Sequence, residues 1–375
     1  MEELIRCTKC IMPNTKPDLS FDEEGVCDAC RSMEKKDADI DWEARAKEFG
    51  ELLEKHKSKD SSNYDCIIPV SGGKDSTYQA YIVKKVYGLD PLCVTWAPAM
   101  KTELGKRNLE VLQELGVDHI MFTPNPVVYR KIFKEALVRL GDPCWACHLG
   151  MFTYPFRVAV QYKVPLVVYG ENPQLEYGGP EAARDTHIMD KRWLHEFGGL
   201  MANRIEAMAS DEVSLRDLKS VCYPTQEELD EVGVIGIFLG TYFPWNAMSQ
   251  VETIKKHGFL VKEDGPVEGC YHNYENLDCK LNVVHTYLKY LKFGFGKATD
   301  HLCLDIRHGR ITREVALEAM EQFDGTKPNK DLKEICKYFD ISEEEFWKIT
   351  ESFRGYFWDH DIKDEDHSMF ASQRP

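Results

Sequence analysis

The stretch Cys66-Ile67-Ile68-Pro69-Val70-Ser71-Gly72-Gly73-Lys74-Asp75-Ser76 constrains this chain more than any other. The apolar run before the glycines reads as a buried strand, and Tyr78-Gln79-Ala80-Tyr81-Ile82-Val83 after them reads as a helix. Strand, tight turn and helix form an arrangement that cradles phosphate. Glycine lets the backbone approach an anion because it carries no Cβ. The helix behind the turn aims unpaired N–H groups and a partial positive charge at the same spot. Lys74 adds a full charge. Ser76 and Gln79 have capping-box spacing and predict the helix start. The loop is not a Walker A loop, because the G-x-x-x-x-G-K-[ST] spacing is absent.

Downstream, the pattern alternates. The spacing predicts strands over 65–70, 92–96, 119–122 and 165–169, and helices over 76–87, 103–115, 127–140 and 148–162. A fifth strand is expected within 233–243, after a helix opened by the capping box Thr225-Gln226-Glu227-Glu228. Such alternation indicates an α/β fold with a parallel sheet covered on both faces. The glycine loop then lies at the carboxyl end of the first strand, where such sheets bind ligands. Thr95 and Trp96 end the second strand at the same edge and are candidate adenine or ribose neighbours, with plain core an equal reading for Trp96. Gly170-Glu171-Asn172-Pro173 ends the fourth strand, and Glu176 follows. A carboxylate there suits Mg²⁺ on a triphosphate or a proton from a nitrogen nucleophile.

Ahead of this region, Cys7-x2-Cys10 and Cys27-x2-Cys30 are separated by a spacing typical of four-cysteine zinc sites. Four thiolates close the shell of tetrahedral zinc, which makes the site structural. A segment this small has little core of its own, so metal binding would supply its folding energy. A third C-x2-C, Cys144-x2-Cys147, is half of a second metal site, a redox pair, or two buried thiols. Cys222, Cys270, Cys279, Cys303 and His148 are possible additional ligands, and an iron–sulfur cluster stays open. The 181–222 stretch reads as a helix–loop–helix insertion, with Asp185, His187, Asp190, Lys191 and Arg192 as its polar segment. Beyond residue 250 the chain turns helical, with His272 beside a candidate pocket and a flexible acidic tail after Trp358. The expected units are a zinc-ribbon segment (1–40), a helix and linker (41–63), a nucleotide-binding domain (64–250) and a helical region (251–375).

Composition narrows the partners. A net charge of −16 opposes broad nucleic-acid binding, which relies on neutralising phosphates. No apolar run has the length of a membrane span, and Met1 to Arg6 does not open a secretory signal. Thirteen cysteines without an export signal suggest a reducing, cytoplasmic compartment.

The loop Ser71, Gly72, Gly73, Asp75, Ser76 resembles the S-G-G-x-D-S signature of the PP-loop adenine-nucleotide alpha-hydrolase superfamily. That resemblance implies a HUP-like ATP-binding domain that cleaves ATP between its alpha and beta phosphates, with Val70 to Ser76 holding the nucleotide. The ordered set is similar to the N-acetyl sugar amidotransferase family of the WbpG/PseA type. It comprises Arg6 to Pro13, Phe21 to Cys30, Pro69 to Ser76, Gly170-Glu171-Asn172, and Phe293-Gly294-Phe295-Gly296 to Arg310. This resemblance implies conversion of a sugar-nucleotide N-acetyl group to an acetamidino group with ATP and ammonia, in LPS O-antigen or nonulosonic acid biosynthesis. Lys74, Asp75 and Glu171 are the expected catalytic residues, Gly170 lies at the nucleotide, and Asn172, Glu176 and His272 are candidate substrate contacts. ATP, Mg²⁺ and Zn²⁺ are the implied cofactors. The implied ammonia source is a separate pair resembling the glutaminase (HisH-like) and barrel (HisF-like) subunits of imidazole glycerol phosphate synthase. The main alternative is a PP-loop tRNA sulfurtransferase, favoured by Cys144-x2-Cys147 and opposed by the acidic charge.

Overall fold

A computed structural model describes residues 4–178, 188–189, 193 and 205–358. Its centre is a six-stranded sheet: β1 (Cys66–Pro69), β2 (Pro91–Trp96), β3 (Asp118–Phe122), β4 (Leu166–Tyr169), β5 (Ile188–Met189) and β6 (Ile235–Phe238). The order is β3-β2-β1-β4-β6-β5, parallel except for the short edge strand β5 against β6. The chain builds outward from β1 through β2 to β3, then returns to place β4 on the other side of β1. Neighbouring connections therefore diverge at β1 and β4, which opens a crevice at their carboxyl ends. The 71–76 loop and the 170–176 loop both leave the sheet there.

Alternation along each strand assigns its side chains to two cores. Ile67, Leu92, Val94 and Val167 face one, with the helices Pro126–Leu140 and Trp145–Tyr162. Cys66, Ile68, Cys93, Leu166 and Val168 face the other, with Trp42–His56, Lys74–Tyr81 and Glu103–Glu114. Asp41, Thr102, Thr225, Thr312 and Ser342 cap the helices that follow them, each accepting from a backbone N–H inside the first turn. Thr225 and Glu228 make both bonds of the capping box.

The four-cysteine arm does not stand apart. Its cysteines share a core with Phe295 and with Ala298, Leu302, Cys303 and Ala316 of the C-terminal helices Lys297–Arg307 and Arg313–Phe323. Arg313 Nε donates to the carbonyls of Cys7 and Cys10 at 3.2 and 3.0 Å, tying the knuckle to the far end of the chain.

The structure departs from the sequence reading at several places. The helix after the glycines starts at Lys74 with Gly73 as its N-cap, so Ser76 lies inside the first turn instead of capping it. Its last turn, Ile82–Val86, widens into a π-helix. The fifth expected strand is only Ile235–Phe238, because Leu239–Thr241 coils into a 3-10 turn. The helix Asp28–Asp39 and the edge strand β5 lie where the sequence pattern predicts neither, while Lys297–Arg307 and Leu332–Phe339 fall within the expected helical region. The Asp28–Asp39 helix starts directly at Cys27, where the cysteine pattern masks helical periodicity. Asp185, His187, Asp190, Lys191 and Arg192, and the tail after Trp358, lie outside the described residues.

Candidate active site

The glycine loop is held by its own hydroxyls. Ser76 Oγ donates to the Gly73 carbonyl at 3.1 Å and accepts from Ser71 N–H at 3.2 Å. Thr77 Oγ1 donates to the same carbonyl at 2.9 Å, and Ser71 Oγ accepts from Gly73 N–H at 3.2 Å. Gly72 sits at φ +83°, and a Cβ there would lie 2.7 Å from the Gly105 carbonyl oxygen. Both the left-handed backbone and the close helix exclude any other residue. The turn is therefore rigid before any ligand arrives.

Lys74 is the charge centre of the site. Its Nζ lies 2.8 Å from Asp75 Oδ2 and 2.8 Å from Glu275 Oε1. Glu275 Oε2 is 3.6 Å from His301 Nε2. Burial works against the Lys74 charge, but Asp75, Glu275 and Glu171 outweigh it and raise its pKa. Burial likewise opposes ionisation of Glu275, yet Lys74 and His301 hold it well below the usual carboxylate range. Glu171 goes the other way: burial and the Asp75 charge push it up to about 8 against the pull of Lys74. Two carboxyl groups near one lysine are thus driven apart, which is how a site separates an ionised group from a proton carrier at neutral pH. Asp75 Oδ1 is buried without a hydrogen-bond partner among the described residues.

Lys74, Glu171, Tyr177, Trp245 and Glu275 line one cleft together with His272, Tyr274, His301, Asp305 and Arg310. His272 Nε2 is 2.9 Å from Asp305 Oδ2, and its ring stacks on Tyr274 at 4.7 Å and 11°. Arg310 bridges Asp305 at 2.6 Å and Asn246 Oδ1 at 2.5 Å. Glu171 and Tyr177 also line a second cleft, on the side of the arm and the Asn282–Phe293 helix.

The other expected site residues fall differently. Val70 is buried, and its carbonyl accepts from Thr95 Oγ1 at 2.7 Å, so Thr95 ties β2 to the end of β1. Trp96 is core: it packs on Phe122, Tyr129 and Tyr154, donates to the Tyr129 hydroxyl, and leaves no room for a Cβ at Gly150. Gly170 backs onto Gln79 and Trp245, and its carbonyl accepts from Gly240 N–H at 2.8 Å. Asn172 is fully buried; it caps the Pro173–Tyr177 helix through Gln174 N–H and donates to Thr241 Oγ1 at 3.1 Å. Its side chain shapes the loop. Glu176 lines the Lys74 cleft and is paired with Lys36 of the arm-side helix, so its carboxylate is already neutralised. Glu275 was missed by sequence reading, because it lies in an irregular segment with no periodic signal.

The thiols of Cys7, Cys10, Cys27 and Cys30 lie within 4.8 Å of one another, all buried. Cys10 and Cys27 Sγ are 3.7 Å apart, close to the ~3.8 Å edge of a tetrahedron with Zn–S bonds of ~2.3 Å. Backbone N–H groups of Cys10 and Cys27 point at Cys7 Sγ at 3.4 and 3.2 Å, a charge-stabilising arrangement for a thiolate. This group fits a tetrahedral metal. Cys144 and Cys147 behave otherwise. Among the described residues Cys144 is grouped with Asp142 and His285, and neither Cys147 nor a distant cysteine joins it. Asp142 Oδ1 accepts from Cys144 N–H at 2.9 Å and lies 2.8 Å from His285 Nδ1, so this cluster is already tied together at the head of the Trp145–Tyr162 helix. Burial pushes both thiols up, which disfavours thiolate.

The wall that carries His272, Tyr274, Glu275, His301, Asp305 and Arg310 lies within residues 268–372, which match the family described as LPS biosynthesis protein WbpG-like, C-terminal domain. The WbpG-like region thus supplies the wall facing the glycine loop. Over 176 residues the chain is 27% identical to Uncharacterized protein MJ1599 of Methanocaldococcus jannaschii, a match that covers 46% of this chain and 61% of that relative. The structure of NMN synthetase from Francisella tularensis aligns with a TM-score of 0.38 and 13% identity, covering 81% of this chain and 98% of that one. Among the described residues no helix is long and apolar enough to cross a membrane.

Proposed function

We propose that this chain is a PP-loop, nucleotide-utilising enzyme of lipopolysaccharide biosynthesis, and that it converts the N-acetyl group of a sugar nucleotide to an acetamidino group. The observation that carries this reading is the placement of Lys74, Asp75, Glu171 and Glu275 around one crevice, with the WbpG-like region closing it. An amide carbonyl is a poor electrophile, so its oxygen must first become a leaving group. In this reading the amide oxygen attacks the alpha phosphorus of ATP and pyrophosphate departs. Ammonia then adds to the imidate carbon, and AMP leaves with the former amide oxygen.

Each residue has a physical task. Lys74 balances charge on the departing phosphates, and one such preorganised donor is worth roughly 2.7–4 kcal/mol. To do so it exchanges Glu275 for a phosphate oxygen, and Glu275 retains His301 as a partner. The unpartnered Asp75 Oδ1 suits a magnesium ligand, with Glu171 as its neighbour. That ion would neutralise phosphate charge. Glu171, with a pKa near that of an amine, is matched to take a proton from the incoming ammonia. Ammonia itself is assigned to a separate glutaminase and channel subunit of the HisH-like and HisF-like kind.

The test combines purified protein, ATP, ammonium and UDP- or CMP-linked acetamido sugars, read by mass spectrometry. The expected product is about one mass unit lighter than its substrate, since NH replaces O, with AMP and pyrophosphate formed in equal amount. Absence of both the mass change and AMP with every candidate sugar sinks the reading.

A further inference from the structure

The second cleft gathers four lysines and two histidines beside three carboxyl groups, Asp142, Glu171 and Asp300, in a chain of net charge −16. Lys16, Lys289, Lys292 and Lys297 line it, with His148 and His285. These side chains come from separate parts of the chain: the cysteine arm, the head of the Trp145–Tyr162 helix, and the two helices on either side of Gly294. Their convergence is a product of tertiary folding, since no basic run exists in the sequence.

The charges are settled unevenly. Lys289 is paired with Asp300, and Lys292 Nζ donates to the Leu140 carbonyl at 3.2 Å. Lys16 and Lys297 are half-buried, yet neither side chain makes a hydrogen bond or ion pair among the described residues. Holding a partly desolvated ammonium without a partner is costly unless an anion completes it. Burial lowers the pKa of Lys16 and Lys292, whereas at Lys297 burial is outweighed by the charges of Glu275, Asp300 and Glu171, which raise it. Lys297 also stands at the first position of the Lys297–Arg307 helix, where the helix dipole favours an anion. The arm is pinned beside it, because Thr15 Oγ1 donates to the Phe293 carbonyl. Glu171 and Tyr177 line both this cleft and the one at Lys74.

We infer that this cleft, with Lys16 and Lys297 as its principal contacts, binds the phosphate groups of the acceptor's nucleotide carrier, on the opposite side of Glu171 from ATP. The inference rests on the sugar-nucleotide reading above and deepens it by giving each nucleotide its own cleft. The acceptor's phosphates lie in the basic cleft, ATP lies at the glycine loop, and the reacting amide lies between them beside Glu171. The arm then has a role beyond its own stability, since it delivers Lys16.

The test is direct binding, which does not depend on turnover. UDP, CMP and inorganic pyrophosphate are titrated into the full-length, zinc-loaded protein by calorimetry, alongside a non-hydrolysable ATP analogue. The Lys16→Gln/Lys297→Gln protein is expected to lose at least about tenfold in affinity for UDP or CMP and to bind the ATP analogue as wild type does. Lys74→Ala is expected to show the reverse. Lys297→Arg, which keeps the charge, should restore most of the loss in the double variant, and circular-dichroism melting establishes that each protein is folded. The single variants serve if the double one is unstable, Lys16→Gln first, because the Lys297 charge also balances Glu275, Asp300 and Glu171. Stronger UDP than CMP binding identifies a diphosphate carrier, and the reverse a monophosphate one; either supports the site. The inference is overturned if the double variant binds UDP and CMP as wild type does, or if neither binds wild type at millimolar concentration. It is also overturned if pyrophosphate competes as well as either nucleotide, which would make the cleft a product exit. Failure of amidine formation with lysine-dependent UDP binding intact would sink the reaction and leave this site standing.

Discussion

The two clefts that meet at Glu171 handle positive charge in opposite ways. At the glycine loop, Lys74 is fully compensated by Asp75 and Glu275, each 2.8 Å away. In the second cleft Lys16 stands without an ion-pair partner among the described residues, and Lys297 is balanced only at longer range by Glu275, Asp300 and Glu171. A compensated lysine stays buried and oriented, but an arriving phosphate must displace a carboxylate to reach it. An uncompensated lysine attracts an anion at once and discriminates less. The difference teaches that preorganisation and capture are separate tasks, and this chain assigns them to different walls.

The largest expected effect comes from removing the metal. Structural zinc is worth roughly 10–16 kcal/mol in small domains. Cys10→Ser, or a strong chelator, should release zinc, lower the melting temperature and abolish UDP binding in the basic cleft, since the arm carries Lys16. Cys147→Ser should leave zinc content unchanged. Equal zinc loss in both variants, measured by atomic absorption, would break the distinction between the two cysteine sets.

Next is Lys74→Ala, expected to lower kcat/KM for AMP formation by ~10²–10³-fold with the fold intact. A loss below about fivefold would mean that the compensated lysine is structural. Glu171→Gln should cost about 10²-fold and remove a pH limb. The sign follows from the raised pKa: Glu171 holds its proton below about 8 and releases it above. Activity that needs the carboxylate therefore rises as pH approaches 8. Stability moves the opposite way, because between the ordinary carboxylate range and about 8 the folded protein keeps a proton that the unfolded chain has lost. The Glu171 contribution to stability therefore declines with rising pH over that window, and Glu171→Gln should flatten it. An unchanged pH profile in the variant assigns the limb to another group.

The smallest effect is the most specific to the comparison. Glu275→Gln keeps the shape of the wall and removes the charge that competes for Lys74. ATP-analogue affinity should rise about two- to fivefold while UDP affinity is unchanged. Weaker ATP-analogue binding would mean that Glu275 holds Lys74 in its working position.

Much of the crevice was legible in the sequence, because its signals are local. The glycine pair, the β1 run and the strand–helix alternation each state their own geometry over a few residues. The 170–176 loop was legible in position but not in detail. Asn172 and Glu176 look alike as polar residues in sequence, but Asn172 is a buried helix cap, whereas Glu176 lines the cleft as the partner of Lys36. Trp96 shows the same ambiguity, since an aromatic at a strand end can face a ligand or a core. The cysteine pairs show the limit of spacing: the first two close into one group within 4.8 Å, while the third splits, with Cys144 beside Asp142 and His285.

By itself, then, the sequence determined the phosphate-cradling turn, the parallel sheet that carries it and the four-thiol arm, because each depends on residues close together in the chain. Only the tertiary structure decided what faces that turn. Glu275, His272 and His301 arrive from about two hundred residues away, and Lys16 and Lys297 reach one cleft from positions separated by most of the chain. No local spacing encodes those meetings. They are fixed by the packing of the arm on the C-terminal helices and of those helices over the carboxyl edge of the sheet.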